Sequence, residues 1–235
     1  MGELQAFAAP GCDFASARPT NHKAQIITFS GIDGAGKTTQ IAALSNYLTH
    51  EGYRLAHITF WDDVAVLSKL RAGVSLTVLR RSQAATGQLP LRNDKNVRTW
   101  YLMLIRAFLY LLDTLSLRRT VTQLRSDGRD FLIFDRYIYD QLVQIRSRRW
   151  IARAYIRLLL SLAPIPEFPF ILDASPDDAF ARKPEYPLDF MRSYRQAFLS
   201  LRACVPHLAI VGPSSVDETQ RLIVQRIAEG SALKT

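Results

Sequence analysis

The stretch Gly31-Ile32-Asp33-Gly34-Ala35-Gly36-Lys37-Thr38 limits what can surround it more than any other part of the chain. Its glycines let the backbone curl until successive N–H groups converge on one point, and a lysine and a threonine follow at once. A loop of this kind works only between a strand that ends at it and a helix that starts from it. Both flanks comply. Residues 25–30 (QIITFS) form a short apolar run rich in β-branched and aromatic residues, and Ile41, Leu44 and Leu48 fall on one side of a helical pattern that Gly52 ends.

The rest of the chain repeats this alternation. Residues 54–60 read as a second strand. Helical spacing covers 64–81 and 97–125, with a Gly87/Pro90 loop between them and Asp127-Gly128 as the stop. Residues 131–134 (FLIF) read as a buried strand running into Asp135-Arg136-Tyr137, and 138–162 is helical again. Pro164 and Pro166 precede a strand at 168–172 that ends at Asp173. A helix through Arg192 and Leu201, a strand at 207–211 and a helix over 216–227 follow. Strands alternating with helices imply an α/β fold, with five parallel strands covered on both faces. The texture divides the chain into a flexible N-terminal extension (1–22), a folded domain (23–230) and a flexible tail (231–235).

Charge narrows the class of partner. The chain carries a net +9, and residues 69–157 alone hold 18 Lys and Arg against 6 Asp and Glu, a local +12. That favours an anionic partner. Arg118, Arg119, Arg125, Arg129, Arg146, Arg148 and Arg149 are spaced onto different helix faces without interleaved aromatics, so a specific nucleic-acid partner is not expected. Cys12 and Cys204 suit neither a metal site nor a disulfide framework, which fits a reducing compartment and a cytoplasmic location. No segment reads as transmembrane, because the most apolar stretch, 100–117, is interrupted by Arg106 and Asp113.

The glycine loop is a phosphate cradle in chemical terms. Lys37 reaches β/γ oxygens, Thr38 offers a hydroxyl to Mg²⁺, and the helix start adds its positive end to the same anion. The donor-binding set is Gly31, Asp33, Gly34, Ala35, Gly36, Lys37, Thr38 and Thr39. Asp135, at the end of an α/β strand, is placed to hold the Mg²⁺ water shell with Thr38. Arg136 beside it points a fork at a phosphate or at the acceptor; the other reading has Asp135 capping the next helix with Arg136 paired to it. The cradle alone leaves ATPase, GTPase, helicase and kinase open.

Three segments together resemble one family. Residues 29–40 (FSGIDGAGKTTQ) look like the P-loop of thymidylate kinases, within the wider P-loop nucleoside and nucleotide kinases. Asp135-Arg136-Tyr137 is similar to that family's Asp-Arg-Tyr/His signature. Leu172-Asp173-x-x-Pro176, the basic turn Ala181-Arg182-Lys183 and residues 189–195 (DFMRSYR) resemble its strand, lid and following helix. Order and spacing agree over about 24–230. The resemblance implies a P-loop NTPase three-layer α/β/α sandwich with a short helical lid near 181–190. It also implies an ATP-dependent, Mg²⁺-assisted transfer of the γ-phosphoryl group to a nucleoside monophosphate such as dTMP. Lys37, Arg136 and Arg182 are then the catalytic cations, with Lys183 or Arg192 as substitutes for Arg182. A homodimer is an open oligomeric reading.

The chain departs from the family in the acceptor half. Where thymidylate kinases carry an Arg-Glu-Pro-Gly-Gly-Thr-like segment, residues 59–64 are TFWDDV, and no acceptor motif is recognisable in 101–119. Asp62, Asp63, Arg71, Arg106, Arg136 and Tyr137 are the acceptor candidates, with Arg80 and Arg98 as further cations and Phe60, Trp61 and Tyr101 as stacking or core residues. A monophosphate acceptor needs cations. A hydroxyl acceptor, such as a deoxynucleoside or another small alcohol, needs a base, and Asp62 or Asp63 stands where it would be. One of the two aspartates can equally cap the next helix. A nucleotide-binding protein without turnover is the third reading.

Overall fold

In the computed structural model, which describes residues 23–66, 100–145, 150–205 and 207–232, five parallel strands lie in the order β2-β3-β1-β4-β5. They are β1 (Gln25–Ser30), β2 (Leu55–Thr59), β3 (Phe131–Asp135), β4 (Phe168–Leu172) and β5 (Ala209–Val211). The helices are α1 (Lys37–His50), α2 (Trp100–Ser126), α3 (Tyr139–Leu142), α4 (Trp150–Leu162), α5 (Pro176–Arg182), α6 (Leu188–Ser200) and α7 (Val216–Ala232).

Period-two alternation along β1 builds both halves of the core. Ile27 and Phe29 face one way, into a cluster with Ile41, Leu44 and Leu48 of α1 and Ile223 and Ile227 of α7. Ile26 faces the other way, toward Leu117 and Val121 of α2, Leu159 of α4 and Phe198 of α6. A strand buried on both faces must lie inside the sheet, which is where β1 lies. The result is the expected three-layer α/β/α sandwich.

Some boundaries differ from the sequence reading. The helical stretch expected at 138–162 begins with one short turn, α3, and resumes as α4. The strand expected over 207–211 is only Ala209–Val211, with His207 at φ 58 before it. Helix α7 runs five residues past 227, through two residues of the expected tail. Residues 60–64 form a single turn of π-helix after β2. The extension 1–22, residues 67–81 of the helix expected over 64–81, Arg71, Arg80 and Arg98 lie outside the described residues. Among those residues no helix is long and apolar enough to cross a membrane.

Some of the basic excess lies far from the glycine loop. Arg125 donates to the Ala24 carbonyl and pairs with Glu167, and Arg129 donates to the Leu55 carbonyl. Both contacts sit at the N-terminal ends of the strands, opposite the glycine loop. Arg136, from the same segment, is seated at the loop.

Candidate active site

Strand β1 delivers the chain straight into the cradle. Gly31, Gly34 and Gly36 have φ of 142°, 85° and 85°, conformations that side chains resist. A Cβ on Gly31 would lie 2.4 Å from the Leu172 carbonyl oxygen, and one on Gly34 would lie 2.6 Å from that of Ala179 in α5. At Gly36 a Cβ would meet nothing within 4 Å, so this side of the loop is open. Lys37 opens α1, and its Nζ donates to the carbonyls of Gly31 and Ile32, each at 2.9 Å, with the Asp33 carboxylate 3.8 Å away. Thr38 and Thr39 follow on the exposed side of the first turn.

Burial first, and the neighbouring Arg136 second, lower the Lys37 pKa to about 8 against the pull of Asp140, Asp33 and Asp135. Lys37 must be charged to hold phosphate. ATP affinity and kcat/KM for ATP, which report the free protein, are therefore expected to fall as pH rises through about 8. Bound phosphate restores the charge, so kcat should persist to higher pH. A flat kcat/KM from pH 7 to 9.5 would contradict this. The sign for stability is opposite: between about 8 and 10.5 the unfolded chain binds more protons at this site, so its contribution to stability rises with pH.

One strand over, register sets Asp135 of β3 level with Phe29 and Thr59. The next residue, Arg136, has φ 68, and its N–H donates to the Phe29 carbonyl at 2.9 Å. A non-glycine residue in this region is strained and belongs to a site that holds it there. Its guanidinium bridges two acids, Asp33 of the loop and Asp140 of α3, the latter at 2.6 Å. Asp140 is fully buried and also accepts the Ser30 hydroxyl at 2.8 Å. Burial opposes the charge on Arg136, but the two carboxylates outweigh it and raise its pKa above the ordinary arginine value.

Other candidates separate on geometry. Tyr137, expected at the acceptor, is instead fully buried and donates its hydroxyl to the Pro164 carbonyl at 2.6 Å; it is a core residue. Phe60 is also core, and Trp61 packs edge-on against it, half-buried. Asp63 accepts the Thr59 N–H at 2.7 Å and so braces the turn after β2. Asp62 is exposed beside it, with no cation or hydrogen-bond donor as partner among the described residues. Arg106 is half-buried on α2.

Arg182 ends α5, exposed, and donates only to the Asp178 carbonyl of its own helix at 3.2 Å. Lys183 pairs with Glu185 at 3.0 Å, and Arg192 pairs with Asp177 at 3.3 Å. Of these three lid cations, Arg182 alone has no carboxylate partner among the described residues.

Sequence reasoning missed three features. Asp140 was passed over, although it stands four residues after Arg136, the spacing of a helical ion pair. Arg195 clamps Asp173 through two bonds of 2.6 Å, tying α6 to the end of β4. Tyr186, Phe190, Tyr194 and Phe198 form a ladder of rings at four-residue spacing, with centroids 5.0–5.3 Å apart.

Known proteins resemble this chain in sequence and in fold. No family model matches the chain. A probable thymidylate kinase of Methanosphaera stadtmanae is 26% identical over 179 residues, 74% of this chain and 82% of that protein. A thymidylate kinase of Chlorobium luteolum is 26% identical over 227 residues, 87% of this chain and 97% of its own length. The crystal structure of thymidylate kinase from Ehrlichia chaffeensis superposes with a TM-score of 0.56 at 18% identity, covering 88% of this chain and 99% of that one. The chain is similar to thymidylate kinases in sequence and in fold, and these relatives indicate a nucleotide kinase. The shared fold covers 88% of the chain, although residues 59–64 read TFWDDV.

Proposed function

We propose that this kinase moves the γ-phosphoryl group of ATP to a nucleoside monophosphate of the dTMP type. The observation that carries the reading is Arg136, a fork held beside Lys37 at the C-terminal ends of the inner strands. A phosphate acceptor is already ionised and needs no base, only cations that position it and share the charge that develops in transfer. Arg136 supplies one such cation, and Lys37 supplies another to the β/γ oxygens. Thr38 and Asp135 would hold Mg²⁺ through hard oxygen ligands. Bound there, the metal would neutralise charge on the donor phosphates. Arg182 is the cation that arrives with the lid, at the end of a helix whose backbone touches Gly34. Substituting Arg182 by alanine should lower kcat about 100-fold with little change in ATP affinity, whereas an equal kcat would remove it from the mechanism.

One observation favours the hydroxyl-acceptor reading, namely that Asp62 is exposed in the turn after β2 and uncommitted among the described residues. ADP release measured against dTMP, other monophosphates, thymidine, other nucleosides and simple sugars decides between them. Turnover is expected with a monophosphate and is expected to survive Asp62→Asn. Turnover confined to hydroxyl acceptors and lost in Asp62→Asn would establish the alternative. ATP binding without turnover on any acceptor would support a non-catalytic nucleotide-binding protein.

A further inference from the structure

We propose that Asp140 is a positioning residue that aims Arg136 at the acceptor phosphate, with Ser30 holding Asp140 in turn. This rests on the monophosphate reading above. Arg136 has two anchors of different character. Asp33 belongs to the glycine loop and is 19% exposed, so a ligand phosphate can take its place on the guanidinium. Asp140 is 1% exposed, and its second oxygen is committed to the Ser30 hydroxyl at 2.8 Å. Water cannot replace such an anchor. Its backbone is fixed independently, since the Asp140 carbonyl accepts from the Tyr194 hydroxyl at 3.2 Å and the Gln144 amide at 3.1 Å. The carboxylate is therefore a fixed bracket. One edge of the fork stays on Asp140 while the other exchanges between Asp33 and phosphate. A guanidinium with one edge fixed is pre-aimed, and less freedom remains to be lost when phosphate binds.

The same bracket carries negative charge close to an anion site, and this makes the test discriminating. If Asp140 acted only through its charge, removing it would tighten phosphate binding. If it aims Arg136, removing it weakens binding. The readout is the ratio of thymidine to dTMP dissociation constants by calorimetry, which isolates recognition of the phosphate and needs no turnover. Asp140→Ala should weaken dTMP at least about tenfold and leave thymidine unchanged, and Asp140→Asn, which keeps an acceptor oxygen for Arg136, should recover most of the loss. In an Arg136→Met background, Asp140→Ala should have no further effect, the non-additivity of residues acting as one unit. Ser30→Ala, which leaves the carboxylate in place but unbraced, should show about a threefold loss and serves if Asp140→Ala fails to fold.

Tighter dTMP binding in both Asp140 variants, or a loss that persists in the Arg136→Met background, overturns the role of Asp140 alone. A wild type that does not distinguish any monophosphate from its nucleoside overturns the monophosphate reading and this role together.

Discussion

Replacing Lys37 by alanine is expected to lower kcat at least ~100-fold while leaving the fold in place. The two effects separate for a physical reason. The ammonium is buried at 7% exposure, and its pKa is already pulled down to about 8, so the folded chain gains little from carrying it. The loop loses the ammonium's bonds to the Gly31 and Ile32 carbonyls and the longer 3.8 Å pairing with Asp33. The transition state loses far more, because a desolvated cation beside the developing phosphate charge is worth more than the same cation in water. Single-turnover rates and thermal unfolding measured on the same variant check both halves. A variant that turns over at the wild-type rate would remove Lys37 from the chemistry, and one that fails to fold would make it structural.

The second large effect is expected at Gly31. Alanine there would place a methyl group 2.4 Å from the Leu172 carbonyl oxygen, in a backbone conformation of φ 142° that L-residues avoid. Neither partner can step aside cheaply, since Leu172 closes β4 in register with β5. The strain costs about 2–3 kcal/mol. For a chain of this size that lowers Tm by roughly 5–10 °C. The loop would relieve part of it by moving off β4, taking the N–H groups away from phosphate, so ATP affinity should fall as well. Gly36→Ala, where a methyl group meets nothing, is the matched control: it shares a positive φ of 85° but not the collision. Equal losses of Tm in the two variants would show that the contact with Leu172 is irrelevant.

The donor half of this molecule could be read from sequence because its information is local. A loop of fixed spacing between a β-branched run and a helical pattern can fold in few ways, and β1, α1 and the cradle between them lie where that pattern puts them. The strand ends at Asp135 and Asp173 were readable for a similar reason, since buried strands announce their limits by the first charge. Side-chain direction was not readable. Tyr137 follows Arg136 by one residue, and nothing in the string tells that it turns into the core to meet Pro164 while its neighbour turns out to the loop. Asp62 and Asp63 are alike on paper, and only the path of the backbone through one π-turn gives Asp63 to Thr59. Asp140 drew no notice, because burial and a partner 110 residues away at Ser30 leave no mark on a sequence window. Part of the basic excess could not be assigned either: Arg125 and Arg129 hold strand starts, a task that composition cannot separate from ligand binding.

Gly34 carries a consequence for the placement of Arg182. A Cβ at Gly34 would lie 2.6 Å from the Ala179 carbonyl oxygen, three residues before Arg182 in the same seven-residue helix. The glycine loop is thus also the seat of α5. Any side chain at position 34 would have to displace that helix or the loop, and with it the spacing between the cradle and the cation at the helix end. One missing methyl group sets how near the two segments can stand.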